Sequence, residues 1–171
     1  AYNGIGPFDG ESVDMRCIAR AEVVAQYYVV QEGSDITSIT DLDGKNVTPG
    51  PEGGGTTGQH QTLMDAFDIE TNDTYLTYSE GGRALRDGDV DAWFIFHGAP
   101  VINAFATDGG NLRLLGFNDE EIGVVQETFP WTTEAEITPD MLQNHDETVQ
   151  VMGTNGFWIT TPDKDADAIR E

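Results

Sequence analysis

The chain has 171 residues, 38% of them hydrophobic and 9% aromatic, enough for one core of ordinary size or two small lobes and too apolar for a disordered acidic tail. Its 31 Asp and Glu face eight Lys and Arg, for a net charge of −23, which leaves no basic stripe to neutralise phosphates and excludes nucleic acid as a partner. No apolar run reaches the roughly 18–20 residues that a membrane-spanning helix needs.

In chain order, residues Ala1 to Asp9 read as the end of a strand running into a loop. Residues Ala1 to Gly10 have neither a basic start nor a long apolar stretch, so the targeting segment of an exported protein is expected outside these residues. Cys17, beside Met15, Ile18 and Ala19, reads as a packed thiol, and a single cysteine gives neither a disulfide framework nor a Cys-based zinc site. Glu22 to Gln31 is β-branched and aromatic and predicts a buried strand. Ser38 to Asp43 is a short polar turn or helix, and Lys45 to Thr48 a short strand ended by Pro49-Gly50-Pro51. The glycine-rich loop Gly53 to Gly58 leads into a helix from about Thr56 to Phe67, with Leu63, Met64 and Phe67 on its apolar face.

Thr74 to Tyr78 predicts the next strand, and Glu80 to Arg86 a short helix stopped by Asp87-Gly88. Val90 to Phe96 is a strongly apolar strand, Ala99 to Ala106 a helix, and Leu112 to Gly116 a further strand. Strands interleaved with helices in this way predict an open, parallel α/β sheet. Asn118 to Glu147 reads as loops with one short helix near Pro139–Gln143. Thr148 to Thr160 reads as an extended strand with a Gly-Thr-Asn-Gly interruption, and Asp163 to Glu171 as a helix cut off by the chain end. Both ends read as truncated, and there is no internal repeat.

The acids are scattered over the chain, and only Lys45 and Lys164 are lysines. A net charge this large repels itself at low salt, and high ionic strength screens the repulsion, so the composition points to a salt-loving source. His60 and His145 lack metal-ligand spacing, and Asp119-Glu120-Glu121 lacks the alternating pattern of a calcium loop, so no metal or other cofactor is expected. No nucleophile or acid–base constellation converges, so no catalytic residue is assigned and an enzyme is not expected.

The glycine-rich segment carries the most chemistry. Gly53, Gly54 and Gly55 follow a strand and Thr56-Thr57 opens a helix, an arrangement in which backbone N–H groups meet a carboxylate or phosphate. Gly53 to Gly58 also fits G-x-G-x-x-G, so a dinucleotide-binding enzyme domain is the rival, with Glu80 placed to hold a ribose. A phosphate-gripping loop of the G-K-[ST] type is excluded, since no Lys follows the glycines.

The order of motifs resembles a known family. It runs Tyr2-x-Gly4, Asp41-Leu42-x-Gly44-Lys45-x-Val47, Gly50-Pro51, Gly53-Gly54-Gly55-Thr56, Ala84-Leu85-x-x-Gly88-x-Val90-Asp91-Ala92-Trp93-Phe94 and Gly98-Ala99-Pro100. Over nearly the whole chain this is similar to the solute receptors of the TAXI branch of TRAP transporters, with Gly54 at a position where the family has serine. The resemblance implies an α/β, type II periplasmic-binding-protein-like fold. Two lobes with open, mostly parallel sheets would be joined by crossover strands, and ligand held between them. Residues 32–147 would form the second lobe, and 1–31 with 148–171 a truncated first lobe. It further implies an extracytoplasmic receptor working with membrane permease subunits, or a ligand-sensing domain of a signalling protein built on the same fold. The ligand would be a small carboxylate or amino acid such as glutamate.

On this reading Tyr2 and Gly4 are first-lobe contacts, and Gly54, Gly55, Thr56 and Thr57 hold the carboxylate. Asp91 has two readings, acceptor of a ligand ammonium and structural acid at a strand start. Trp93 and Phe94 are candidate cleft linings within a mostly core segment. Pro130 and Trp131, with Phe129, are either a cleft wall or a packed loop.

Overall fold

A run of tyrosines and valines sets the centre of the sheet. The computed structural model describes residues 14–96, 112–141 and 146–164. Strand β1 (Arg16–Gln31) is exposed at its start and buried from Ala25 to Val30. Its side chains alternate between two cores. Tyr28 and Val30 enter one, and Tyr27 and Val29 the other. A strand covered on both faces carries a continuous apolar run, as this one does.

A 3-10 turn (Ile39–Leu42) precedes β2 (Asn46–Thr48), and the glycine loop leads from β2 into α1 (Gly55–Phe67). Then come β3 (Asn72–Asp73), α2 (Tyr78–Asp87), β4 (Ala92–Phe96), β5 (Leu112–Leu115), α3 (Asp119–Thr128), β6 (Thr132–Ile137) and β7 (Val149–Thr160). The strands order as β3-β2-β4-β1-β7-β6, with β5 also paired to β1. β2 is parallel to both β3 and β4, whereas β1 runs antiparallel to β4 and to β5. Four strands therefore point one way and β1 threads between them in the opposite sense, which makes the sheet mostly parallel as expected.

The chain divides into two compact units, Ala1–Val23 with Asn155–Glu171, and Val24–Thr154. In the larger unit one sheet face packs Leu63 and Met64 of α1 and Ile122 and Val125 of α3 against Tyr28, Val47 and Phe94. The other face packs Leu85 of α2 and Ile137 and Val151 of the β6–β7 ribbon against Tyr27, Val29, Trp93 and Ile95.

Several expectations are corrected. The strand expected at Thr74–Tyr78 lies earlier, at Asn72–Asp73, and Tyr78 opens α2. The cause is a capping box: the Glu80 N–H donates to Thr77 Oγ1 (3.4 Å), and Thr77 N–H returns a bond to Glu80 Oε2 (3.0 Å). The region read as loops between Asn118 and Glu147 holds α3 and β6. There Asn118 Oδ1 accepts from Glu121 N–H (3.0 Å) and Glu121 Oε2 from Asn118 N–H (2.8 Å). Pro139 to Met141 is a turn. β7 runs without a break through Gly153-Thr154-Asn155-Gly156. Cys17 is exposed rather than packed. The stop at Gly88 holds: it caps α2 in the left-handed conformation, φ 78°. The helix expected at Ala99–Ala106 lies outside the described residues, as does most of the one at Asp163–Glu171.

Candidate functional site

The glycine loop sits where ligands meet open α/β sheets, at the carboxyl end of a parallel strand. Thr48 ends β2, and the chain turns through Pro49-Gly50-Pro51 into α1. Gly53 takes φ +71°, open to glycine at little cost. The Pro51 carbonyl gathers the turn, accepting from Gly54 N–H (3.1 Å) and from the Thr57 hydroxyl (2.9 Å). A side chain at Gly54 would bring Cβ to 3.0 Å from that carbonyl, so the position given to serine in the resembling family is closed to it here unless the turn shifts.

Gly54 is the N-cap of α1 and supplies no side-chain oxygen, and no acid stands in the first turn. The first intrahelical bond is Gly58 N–H to the Gly54 carbonyl (3.3 Å). The N–H groups of Gly55, Thr56 and Thr57 precede it and form the electropositive end of the helix. A Cβ at Gly55 would meet nothing within 4 Å, so space lies open beside them. The other two described α-helices differ. α2 and α3 each hold their own glutamate, Glu80 and Glu121, in a capping box. Hydrogen bonds from the Thr77 hydroxyl and N–H keep the Glu80 carboxyl below its ordinary range.

Of the other proposed contacts, few join this loop. Thr56 is buried, its hydroxyl against that of Tyr78, which ties the starts of α1 and α2 together. Asp91 stands at the amino end of β4, and its carboxylate accepts from Asn46 N–H (2.8 Å) while its own N–H donates to the Asn46 carbonyl (2.8 Å). It ties a strand start to Asn46, at the end of the sheet opposite the glycine loop. Trp93 and Phe94 are fully buried on opposite sheet faces, each within one of the two cores. Trp93 packs on Gly81 of α2, where a Cβ would lie 3.0 Å from its Nε1. Pro130 is exposed, and Trp131, 53% exposed, meets Phe129 edge to face at 5.2 Å. Tyr2 and Gly4 lie outside the described residues.

A buried polar chain under α1 escaped the sequence reading. His60 is fully buried; its Nδ1 lies 2.8 Å from the Tyr28 hydroxyl, and its Nε2 3.2 Å from Asp73 Oδ1 and 3.0 Å from Thr71 Oγ1. Thr71 also donates to Asp73 Oδ1 (2.7 Å). A carboxylate only accepts, so Nε2 carries the hydrogen and, in the neutral ring, Nδ1 accepts from Tyr28. Burial pushes the Asp73 carboxyl up, but bonds from His60 and Thr71 and the attraction of His60 outweigh it and hold it below the usual range. Burial, then the Asp73 charge, raises the Tyr28 phenol well above its ordinary value. Beside it, the buried Gln26 amide donates to Oε1 of the adjacent Gln59 (3.3 Å) and to the Thr154 hydroxyl. The available signal was spacing: Thr56, His60, Leu63 and Met64 follow one helical stripe, and all four are buried. Among the described residues no group of His, Cys, Asp and Glu is arranged to hold a metal ion.

The architecture is shared with solved structures. The periplasmic aliphatic sulphonate binding protein SsuA of Escherichia coli matches at 26% identity and a TM-score of 0.50, over 61% of this chain and 36% of its own. A putative periplasmic sulfonate-binding protein of Methylobacillus flagellatus matches at 17% and 0.52, over 87% of this chain and 37% of its own. The arginine-, lysine-, histidine-binding protein ArtJ of Geobacillus stearothermophilus matches at 15% and 0.50, over 91% of this chain and 53% of its own. The chain thus spans between a third and just over half the length of these structures. The class of fold is therefore the type II periplasmic-binding-protein-like one. Within it the chain belongs to the NMT1-like family, whose model matches residues 1–171.

Proposed function

We propose that this chain is the ligand-holding part of an extracytoplasmic solute receptor, of the TAXI type that serves TRAP transporters, from a salt-loving organism. It binds a small carboxylate, glutamate or a related organic acid, and hands it to membrane permease subunits without chemical change. The observation that carries the reading is the open start of α1. Of the three described α-helices, this one alone lacks a carboxylate of its own, and it stands at the carboxyl edge of the sheet beside open space. An anion at such a terminus gains from both the unpaired N–H groups and the helix dipole. The likeness to solute-binding structures supports the class, and the motif order quoted above supports the subfamily. No described helix is long and apolar enough to cross a membrane, and delivery is assigned to a separate permease.

The high negative charge opposes an anionic ligand at long range. At about 1 M salt screening confines that effect to ~3 Å, and the local donors decide binding. The test is calorimetry in molar KCl on the full-length protein, with glutamate, other amino acids, dicarboxylates, a neutral sugar and NAD as probes. A carboxylate should bind, and Gly55→Val should weaken it at least about tenfold while the melting temperature stays put, because the added side chain meets open space. Equal affinity in Gly55→Val, or binding of NAD or the sugar alone, overturns the proposal.

A further inference from the structure

Two tripeptides of this chain fit Asn-x-Thr with a middle residue other than proline: Asn46-Val47-Thr48 and Asn72-Asp73-Thr74. This is the pattern of asparagine-linked glycosylation in exported proteins, where the hydroxyl two residues on must be reachable together with the asparagine amide. The two asparagines are register partners on parallel strands, Asn46 of β2 opposite Asn72 of β3.

The fold separates them. β2 is covered on both sides, by β3 and β4, and Thr48 is fully buried, its Oγ1 without a hydrogen-bond partner among the described residues. The first tripeptide therefore shows its asparagine and hides its hydroxyl. The second lies at β3, the end of the strand order. Asn72 and Thr74 are both exposed, while the intervening Asp73 turns inward to His60. Strand alternation thus sets the acceptor and its hydroxyl on one outer face. The backbone N–H groups of Asn72 and Thr74 are fixed to the Lys45 and Val47 carbonyls (both 2.8 Å), which holds that face outward.

We propose that Asn72 is an N-glycosylation site. Its Nδ2 attacks the anomeric carbon of a sugar carried on a lipid phosphate. The C1–Nδ2 bond forms, the C1–O bond to phosphate breaks, the lipid phosphate leaves, and one amide proton is released. Nδ2 donates to the Gly44 carbonyl (2.8 Å), and the hydrogen that remains after transfer can still serve that bond. Asn72 also stands at the amino edge of β2 and the glycine loop at its carboxyl edge, so the glycan leaves the candidate ligand site clear. The inference rests on the extracytoplasmic reading.

The test uses protein purified from its native cells after separating cytoplasm from the exterior and membrane fractions, followed by peptide mass measurement. The expected result is recovery outside the cytoplasm with a sugar mass on the Asn72 peptide. That mass should vanish in both Asn72→Gln and Thr74→Ala and persist in Thr74→Ser and Asn46→Gln. A bare Asn72 peptide in protein recovered outside the cytoplasm, or sugar on Asn46 alone, overturns this inference and leaves the receptor reading standing. Recovery only in the cytoplasm with bare Asn72 overturns both.

Discussion

The Tyr28–His60–Asp73 chain should reveal itself as one unit in a double-mutant cycle. His60→Leu keeps an apolar filling of the core but removes the partner of the buried Tyr28 hydroxyl and one donor to Asp73. A buried polar group left unpaired costs about 1–3 kcal/mol, so the loss should be about 3 kcal/mol. Tyr28→Phe orphans only His60 Nδ1 and should cost about 1–2 kcal/mol. The double variant removes both ends of the bond and leaves no orphan there. It should cost about 1–2 kcal/mol less than the two single losses together. Urea unfolding in a fixed molar KCl buffer measures all four proteins, provided the slopes agree. Losses that add to within about 0.5 kcal/mol would show that Tyr28 and His60 are independent and refute the arrangement.

Two further outcomes follow from charge. Asp73 is held below its ordinary value, so its stabilisation is complete above the unfolded value near pH ~3.9 and is lost as pH falls through the folded value. Tyr28 is raised, so its contribution is complete below about pH 10 and is lost as pH rises beyond it. Stability against pH should accordingly flatten on the acid limb in Asp73→Asn and on the alkaline limb in Tyr28→Phe, and limbs that match wild type would count against the linkage. The net charge of −23 predicts a melting temperature that climbs with KCl up to molar levels, and a flat or falling one would remove the salt-loving reading.

Periodicity carried most of the fold. Tyr27 to Val30, Ala92 to Phe96 and the α1 stripe are apolar runs of the right length, and each forms the element it predicts. What failed was local. Tyr78 looked like strand until the Thr77–Glu80 box recruited it to α2, and Asp119-Glu120-Glu121 looked like a solvated loop although acids favour a first helical turn. At the site, the glycine turn was legible because its residues are contiguous. The placement of Asp91 at the other end of the sheet was not legible, because sequence does not say which end of a strand faces the loop. The chain of Tyr28, His60 and Asp73 spans three elements, and only the register of β1, α1 and β3 brings it together.

The antiparallel placement of β1 also constrains the order of folding. Its partners on either side, Ala92–Phe96 and Leu112–Leu115, lie some sixty and eighty residues downstream. Tyr27 to Val30 therefore leave the ribosome well before either neighbour exists, and the central sheet closes only through long loops. Such non-local pairing slows folding and leaves a bare apolar strand waiting. On the extracytoplasmic reading proposed above this delay is useful, because a sheet whose central strand precedes its neighbours stays open long enough to be threaded through a membrane pore.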